Sequence, residues 1–232
     1  MPVFRSFLRP FFVTLLLAAA APSFSQQAGL VLQCDDPDTP AKEAALISKL
    51  ADGKVTRKSM HLLLVQAGGK TIRLADAPPY DEPLAGTRYR FCDRKDGFIL
   101  VRKEQDVDFT GTLIDEASGA VVDAGQQVIL SADRRAYFAT VQPDGLDGEE
   151  WSIHFANGNV SWSGYSFIDD EVHPGYASAY LSKPQWLPKG AFTALAECAE
   201  ALDRTWRVTL TKAADGTWDW RPKGKCPPVH YP

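Results

Sequence analysis

The stretch Trp151-Ser-Ile-His-Phe-Ala-Asn-Gly-Asn-Val-Ser-Trp-Ser-Gly-Tyr165 decides the fold class of this chain. Apolar and polar residues alternate on both sides of Asn157-Gly158, and this dipeptide favours the positive φ angles of a type I′ hairpin turn. The register of such a hairpin places Ile153 opposite Trp162, so that apolar side chains share one face. We therefore predict two antiparallel strands here.

The same alternation continues outward along most of the chain, with glycine-containing turns such as Gly68-Gly69 between the segments. Two segments have helical features instead. Thr39-Pro40 is typical of a helix start, and the apolar residues of 191–204 recur at helical spacing. The proline-rich segment 174–188 predicts a loop. The sequence thus predicts a mainly β chain, an antiparallel meander, sandwich or partial propeller-like sheet with two short helices.

One part of the chain resembles a known structural repeat. The quoted residues are Val128-Ile-Leu-Ser-Ala-Asp-Arg-Arg-Ala-Tyr137, Trp151-Ser-Ile153 and Val160-Ser-Trp162. Segment 128–167 is similar to a single blade of bacterial Tol-type or WD-type β-propellers, in which a Ser-Pro-Asp-Gly turn leads into three strands. Ala132 and Arg134 stand in place of that proline and glycine. The resemblance implies successive strands, and because such blades host many functions it implies no particular activity.

The first 25 residues have the three parts of a secretory signal. Arg5 and Arg9 precede an apolar run from Phe11 to Ala21, and small residues follow as far as Ser25. The run is shorter than the roughly 20 residues that a membrane span needs. We expect residues 1–25 to be removed on export to the periplasm or the cell exterior. Residues 26–232 would form a single β-rich domain, with a subdivision near 170–190 as the alternative.

Four cysteines fit that compartment: Cys34, Cys92, Cys198 and Cys226. An even number of cysteines in an oxidising compartment predicts disulfides, and three connectivities are open for two bonds. We favour Cys34–Cys92 and Cys198–Cys226, because each pair brackets one block of predicted secondary structure. The spacing lacks the paired Cys-x-x-Cys pattern of a zinc site. We predict a disulfide-stabilised chain with no cofactor and no metal.

The charge of the chain limits its partners. The sequence has 25 basic and 29 acidic residues, and loss of Arg5 and Arg9 with the leader would change the net charge from −4 to −6. An acidic protein repels phosphate backbones, so nucleic acid is not expected as a partner. A basic protein or a neutral cell-wall glycan fits this charge better, and no membrane span is expected.

Two acidic segments contain candidate ligands. The loop 144–150 carries Asp144, Asp147, Glu149 and Glu150 around glycines, a composition that suits a calcium site or a contact with a basic partner. It lacks the alternating Asp/Asn pattern of a calcium loop, so we interpret it as a solvated acidic turn. Asp169-Asp170-Glu171-Val-His173 offers oxygen and nitrogen ligands, but neighbours on a strand point to opposite faces, which favours a surface turn.

The polar face of the central hairpin carries a base and hydroxyl groups. The predicted register places Ser152 opposite Ser163 and His154 opposite Ser161. The chain lacks a Gly-x-Ser-x-Gly motif around these serines, and sequence alone identifies neither an orienting acid nor an oxyanion hole for them. We interpret these residues as the solvent-facing side of a sheet and predict no catalytic residue.

Aromatic residues are concentrated in the C-terminal part of the chain, where all six tryptophans lie at or after position 151. Most of them fall on the apolar side of a predicted hairpin. Trp186 lies in the predicted proline-rich loop, with Tyr176 and Tyr180 close to it in sequence. Exposed aromatic rings are typical of binding surfaces. We therefore predict a binding site formed by this aromatic segment and the acidic loop.

These observations predict a secreted or periplasmic binding protein without catalytic activity, for example an inhibitor or immunity-type partner of a basic protein. The alternative is a cell-envelope glycan-binding protein or a glycoside hydrolase. In a hydrolase, a pair such as Asp147 and Glu150 would serve as acid and base.

Overall fold

The computed structural model describes residues 29–34, 39–82, 85–105, 108–141, 149–170, 176–224 and 226–227. Several sequence predictions fall outside these ranges. They are the leader 1–25, Asp144 and Asp147 of the acidic loop, and residues 171–173 of the second acidic segment.

The described residues form one α-helix and 17 strands. The helix, α1, spans Pro40–Leu50. The strands are β1 (Leu30–Gln33), β2 (Val55–Ser59), β3 (Leu62–Ala67), β4 (Lys70–Ala75), β5 (Thr87–Lys95), β6 (Phe98–Gln105), β7 (Asp108–Asp115), β8 (Val121–Ala124), β9 (Gln127–Leu130), β10 (Ala136–Val141), β11 (Glu150–Phe155), β12 (Val160–Tyr165), β13 (Phe167–Asp169), β14 (Ala177–Trp186), β15 (Phe192–Cys198), β16 (Ala201–Lys212) and β17 (Trp218–Arg221). The mainly β fold expected from the alternation is confirmed.

Helix α1 begins where the sequence predicts. The Thr39 side chain accepts a hydrogen bond from the backbone N–H of Lys42 at 3.3 Å, and Pro40 occupies the first turn, where its missing N–H costs nothing. Glu43 also lies in this first turn, near the positive end of the helix dipole. The chain leaves the helix after Leu50 and turns at Gly53, whose φ of +72° favours glycine.

The strands form four antiparallel sheets. Sheet I has the order β2-β3-β4, sheet II the order β5-β6-β7-β8, and sheet IV the order β13-β14-β15-β16-β17. Sheet III has the order β1-β9-β10-β11-β12, so the first strand of the described chain joins a sheet that otherwise forms from residues about 100 positions later. Apart from β1, every sheet is a meander in which sequence neighbours pair.

The sheets pack face to face in the order I, II, III, IV, with a hydrophobic core in each interval. Core 1 lies between sheet I, α1 and sheet II, core 2 between sheets II and III, and core 3 between sheets III and IV. In β6, Ile99 and Val101 enter core 1 whereas Leu100 enters core 2. In β9, Val128 enters core 2 and Ile129 enters core 3. Because successive side chains of a strand point to opposite faces, sheets II and III are buried on both sides.

Both disulfides form with the favoured connectivity, which confirms the prediction. Cys34, just after β1, bonds Cys92 in β5, and this bond links sheet III to sheet II. Cys198, at the end of β15, bonds Cys226 near the C-terminus. The described residues contain no free cysteine.

The prediction of a second helix at 191–204 is wrong. These residues form β15 and the start of β16, a hairpin in which Ala196 lies opposite Trp206. The side chains of β15 that face core 3 alternate, at Phe192, Ala194 and Ala196, and Leu202 of the supposed helical stripe is exposed. Alanine and glutamate favour helix locally, but burial against sheet III overrides that preference.

The predicted loop 174–188 is also mostly a strand. Residues 177–186 form β14, which pairs with both β13 and β15. Pro184 fits because the register shifts between Ser182 and Gln185, and Lys183 within that bulge has a φ of +51°. Proline has no N–H to donate, so a bulge is one of the few places where a strand accepts it.

The central hairpin forms with a different turn from the one predicted. Ile153 lies opposite Trp162 as expected, but a bulge then places His154 opposite Val160 rather than Ser161. Gly158 has a positive φ and Asn157 does not, which excludes the type I′ turn. The turn instead has three residues, with Gly158 closing it by a hydrogen bond from its N–H to the carbonyl of Phe155 at 2.9 Å.

Candidate functional site

The acidic segment is described only at its end, because Asp144 and Asp147 lie outside the described residues. The carboxylate of Glu149 is already engaged. Its Oε2 accepts a hydrogen bond of 2.9 Å from Nε1 of Trp151, whose ring is buried in core 3. Glu149 therefore satisfies a buried indole N–H, and it contributes less to an open binding surface than the sequence suggests.

Glu150 and Tyr180, both predicted site residues, are connected by aromatic side chains. Glu150 begins β11 with an exposed side chain, and Tyr165 lies opposite it on β12. The Tyr165 ring stacks on Phe167, with centroids 5.3 Å apart and planes within 10° of parallel. Phe167 in turn lies directly opposite Tyr180 on β14. The structure thus connects Glu150 and Tyr180, which are 30 positions apart in sequence, through the rings of Tyr165 and Phe167.

We call Tyr165, Phe167 and Tyr180 the aromatic strip. Tyr165 is 49% exposed and Tyr180 is 54% exposed, whereas Phe167 is half-buried between them. On its other side, Tyr180 lies opposite Glu197 of β15. The strip therefore has a carboxylate next to each of its outer rings, Glu150 beside Tyr165 and Glu197 beside Tyr180.

The other two predicted aromatic residues lie at the two ends of β14. Tyr176, 55% exposed, precedes the strand, and its carbonyl accepts a 2.7 Å hydrogen bond from the N–H of Asp170. It therefore lies next to the end of β13, just before the strand that carries Tyr180. Trp186 ends the strand and packs on core 3, where Nε1 donates to the carbonyl of Ile129 at 2.7 Å. Trp186 does not belong to the strip.

Two members of the strip, Tyr165 and Phe167, are not among the residues predicted from the sequence. Their alternation around Ser166 is the signal that could have identified a shared surface. What the alternation does not reveal is that the chain passes from sheet III to sheet IV at Ser166. That passage brings the last residue of β12 against the first residue of β13.

A second candidate site lies between sheets II and III. A cavity of about 370 Å³ opens there, and its polar wall includes Lys103, Asp123, Glu150, Ser152, His154 and Ser163. We call it the Ser152 cavity. The expectation that Ser152 and His154 face solvent is wrong, because they are only 9% and 8% exposed. Sheet II covers this face, which the alternation of polar and apolar residues predicts to be solvent-exposed.

Ser152 and His154 form a hydrogen-bonded pair. Oγ of Ser152 lies 2.8 Å from Nε2 of His154, and Nδ1 of His154 lies 3.2 Å from the carbonyl oxygen of Gly158. The Tyr137 ring stacks on the imidazole, with centroids 4.7 Å apart and planes within 4° of parallel. Tyr137 is itself fixed by its hydroxyl, which donates to the carbonyl of Asp123 at 2.6 Å.

The surroundings of His154 lower its pKa below the ordinary value of 6.5. Burial is the main cause, since it disfavours the charged imidazolium. The carbonyl of Gly158 and the negative charge of Asp123 act in the opposite direction but do not outweigh burial. His154 is therefore neutral at pH 7, and its proton acceptor is held against a serine hydroxyl.

A second cavity, of about 400 Å³, lies between α1, the turn at Met60 and the start of β5. His61 and Tyr80 stack in it with ring centroids 3.9 Å apart. The Arg57 guanidinium on its wall is held by Glu43, and Nη1 of Arg57 is buried with no hydrogen-bond partner among the described residues. The Glu43–Arg57 contact attaches α1 to β2, so this part of the cavity wall has a structural role.

Two further findings concern the described residues alone. They contain no cluster of three or more histidine, cysteine, aspartate or glutamate side chains arranged to hold a metal ion. Their helix is neither long nor apolar enough to cross a membrane.

The aromatic strip and the Ser152 cavity are neighbours, since Glu150 takes part in both. Comparison of the chain with protein-family models, with curated proteins and with solved structures finds no match.

Proposed function

We propose that this chain is an exported, disulfide-stabilised binding protein that holds a basic partner protein on the aromatic strip and its flanking carboxylates. The observation that carries the proposal is the row Tyr165, Phe167 and Tyr180 with Glu150 and Glu197 at its ends. Such a surface suits an inhibitor or immunity-type protein directed against a basic cell-wall hydrolase.

The chemistry of the strip suits lysine and arginine side chains. The faces of tyrosine rings attract cations, and a carboxylate beside each ring adds a charged hydrogen-bond acceptor. Tyrosines also lose little side-chain entropy on binding, which is why they are common at binding hot spots. The excess of 29 acidic over 25 basic residues would steer a cationic partner towards this surface.

The export part of the proposal is supported by the two disulfides, which form and persist in oxidising compartments. It also rests on the leader predicted for residues 1–25, after which the net charge would be −6. Detection of the protein in the periplasm, with a mature N-terminus at Gln26, tests this part by itself.

The binding proposal is tested with egg-white lysozyme as a basic cell-wall hydrolase and with purified peptidoglycan as the glycan. We expect the mature protein to bind lysozyme and Tyr165→Ala plus Tyr180→Ala to weaken that binding by at least about 30-fold, the effect of losing one hot spot. Phe155→Ala is the matched control, because this exposed aromatic residue lies at the opposite end of β11 from Glu150.

The same experiment separates the alternative. Binding to peptidoglycan with no affinity for lysozyme, lost in the Tyr165/Tyr180 variant, would replace the basic partner by a cell-envelope glycan, since sugar rings also stack on exposed aromatic faces. Equal affinity of the wild type and the Tyr165/Tyr180 variant for either probe would contradict the assignment of the binding surface.

A further inference from the structure

The Ser152 cavity contains more organised chemistry than a binding surface requires. A hydroxyl and an imidazole lie within hydrogen-bond distance, both are nearly buried, and a cavity of about 370 Å³ lies against them. A nucleophile bonded to a base, with the base oriented by a third group, is the arrangement that nucleophilic catalysis uses.

We propose that Ser152 is a nucleophile activated by His154, and that the Ser152 cavity takes small carboxylic esters. This inference goes beyond the proposed binding function, and it rests on Ser152 and His154, which are not part of the aromatic strip. Hydrolysis would proceed by transfer of the acyl group to Ser152 and then to water.

The hydrogen bonds determine which atom carries which proton. The carbonyl oxygen of Gly158 has no proton to donate, so Nδ1 of the neutral His154 ring carries the hydrogen of that 3.2 Å contact. Nε2 then has the free lone pair, and the hydroxyl of Ser152, 2.8 Å away, donates to it. This is the direction in which a general base must receive the proton of a nucleophile.

The position of the base is fixed from three sides. The Gly158 carbonyl holds one ring nitrogen, and Tyr137 covers the face of the ring in near-parallel contact. The bulge after Ile153 turns His154 out of the regular register and opposite Val160. Bulges re-aim side chains, and they are common beside active sites.

The charges around the imidazole suit a base that becomes positive during the attack. Asp123 acts on His154 electrostatically and favours the imidazolium form, as an acid does in a catalytic triad without transferring a proton. Glu150 is a second carboxylate on the cavity wall, and Lys103 is the cation on that wall. The Lys103 ammonium is also the group able to stabilise a negative oxygen on the substrate.

The steps balance with water as the only co-reactant. Oγ of Ser152 forms a bond to the ester carbonyl carbon while its proton passes to Nε2 of His154. The bond between that carbon and the leaving oxygen then breaks, and the proton moves from His154 to the leaving alkoxide. Water next attacks the acyl-serine by the reverse sequence, which releases the acid and restores the serine hydroxyl.

The test uses a fluorophosphonate probe and p-nitrophenyl acetate with the mature, disulfide-bonded protein. The probe reacts in the same way as the ester: an O–P bond to the serine forms, fluoride leaves and the proton goes to the base. We expect one label on the folded wild-type protein, located at Ser152 by peptide mass spectrometry, and measurable release of p-nitrophenol.

Variants then assign the roles. Ser152→Ala is expected to abolish labelling, and His154→Gln to slow it by at least about 100-fold, the usual contribution of a general base. Ser161→Ala is the control, because Ser161 lies on β12 but does not line the cavity. It should label at the wild-type rate. Circular dichroism of each variant establishes that it is folded.

The wild-type result alone decides the proposal even where a variant fails to fold. A folded wild-type protein that stays unlabelled and releases no p-nitrophenol would overturn it, and a label on any other residue would do the same. Labelling at Ser152 is measured without lysozyme or peptidoglycan, so failure of the binding proposal and failure of this one give different results.

Discussion

Replacement of Glu43 by glutamine tests how the helix is joined to the sheets. Glu43 lies in the first turn of α1 and is buried. Its Oε1 accepts from Nη2 of Arg57 at 2.5 Å and from the backbone N–H of Phe91 at 2.8 Å, and its Oε2 accepts from Nε of Arg57 at 3.1 Å. One carboxylate therefore ties α1 to β2 of sheet I and to β5 of sheet II.

The expected loss in the free energy of unfolding depends on the Arg57 charge, which remains when Glu43 is replaced. Removing one partner of a buried ion pair costs about 3–5 kcal/mol, because the other charge stays in the interior. The Arg57 side chain is 22% exposed, and Nη2 of Arg57 keeps a 2.6 Å hydrogen bond to the carbonyl of Tyr89. We therefore expect the lower end, a loss of about 3 kcal/mol in the free energy of unfolding for Glu43→Gln.

Urea unfolding of the disulfide-bonded protein, followed by tryptophan fluorescence, measures this loss. Glu43→Leu combined with Arg57→Met should cost less than the sum of the two single changes, because no charge is left unpaired. Arg135→Gln, a change at an exposed arginine, is the control and should stay within about 0.5 kcal/mol of wild type. A loss below about 1 kcal/mol for Glu43→Gln, or strictly additive effects in the double variant, would refute the reasoning.

Three further changes have expected outcomes. Cys34→Ala plus Cys92→Ala should lower the free energy of unfolding by about 4 kcal/mol, because the disulfide closes a loop with a sequence separation of 58. A loss under 1 kcal/mol in urea would contradict this. Burial, followed by the charge of Asp123, raises the pKa of Tyr137, so only the unfolded state ionises just above pH 10. The unfolding free energy should therefore fall as pH rises above 10, and Tyr137→Phe should remove part of that fall; identical pH profiles would argue against it. Trp186→Phe should cost about 1–2 kcal/mol in thermal unfolding, since it leaves the Ile129 carbonyl without the indole donor, and an unchanged melting temperature would exclude that role.

Local patterns predict the parts of this fold that local chemistry decides. The cap of α1 and the Gly68-Gly69 turn depend on residues next to each other in sequence, and both form as expected. Local chemistry also decides the last hairpin, in which Gly216 has a positive φ and Leu210 lies opposite Trp220 beside a three-residue turn. The central hairpin also has a three-residue turn ending at Gly158, so its Asn157-Gly158 pattern predicts the position of the turn but not its type.

Distant contacts decide the parts that local patterns get wrong. Segment 191–204 has helical spacing and helix-favouring residues, but core 3 accepts only its alternating face, Phe192, Ala194 and Ala196. Strand β1 is four residues long and pairs with β9, so its partner cannot be found from its own neighbourhood. The candidate site shows the same contrast between local sequence and distant contacts. The acidic and aromatic composition of their segments predicts Glu150 and Tyr180 as site residues. Their connection through Phe167 depends on how sheets III and IV meet.

The alternation of polar and apolar residues predicts that Ser152 and His154 face solvent. This inference holds for a protein with two layers of sheet. A sheet that packs against one other sheet has one solvent-exposed face, and its polar residues lie on that face. Sheet III packs against another sheet on each side. Polar side chains placed between two sheets are costly unless they bond to each other, and Ser152 and His154 do so. Both partners of such a pair can be replaced by apolar groups of the same shape at little cost in stability. Unfolding experiments measure the stability of the fold and do not report whether Ser152 is a nucleophile. A measurement of reactivity at Ser152 does report this.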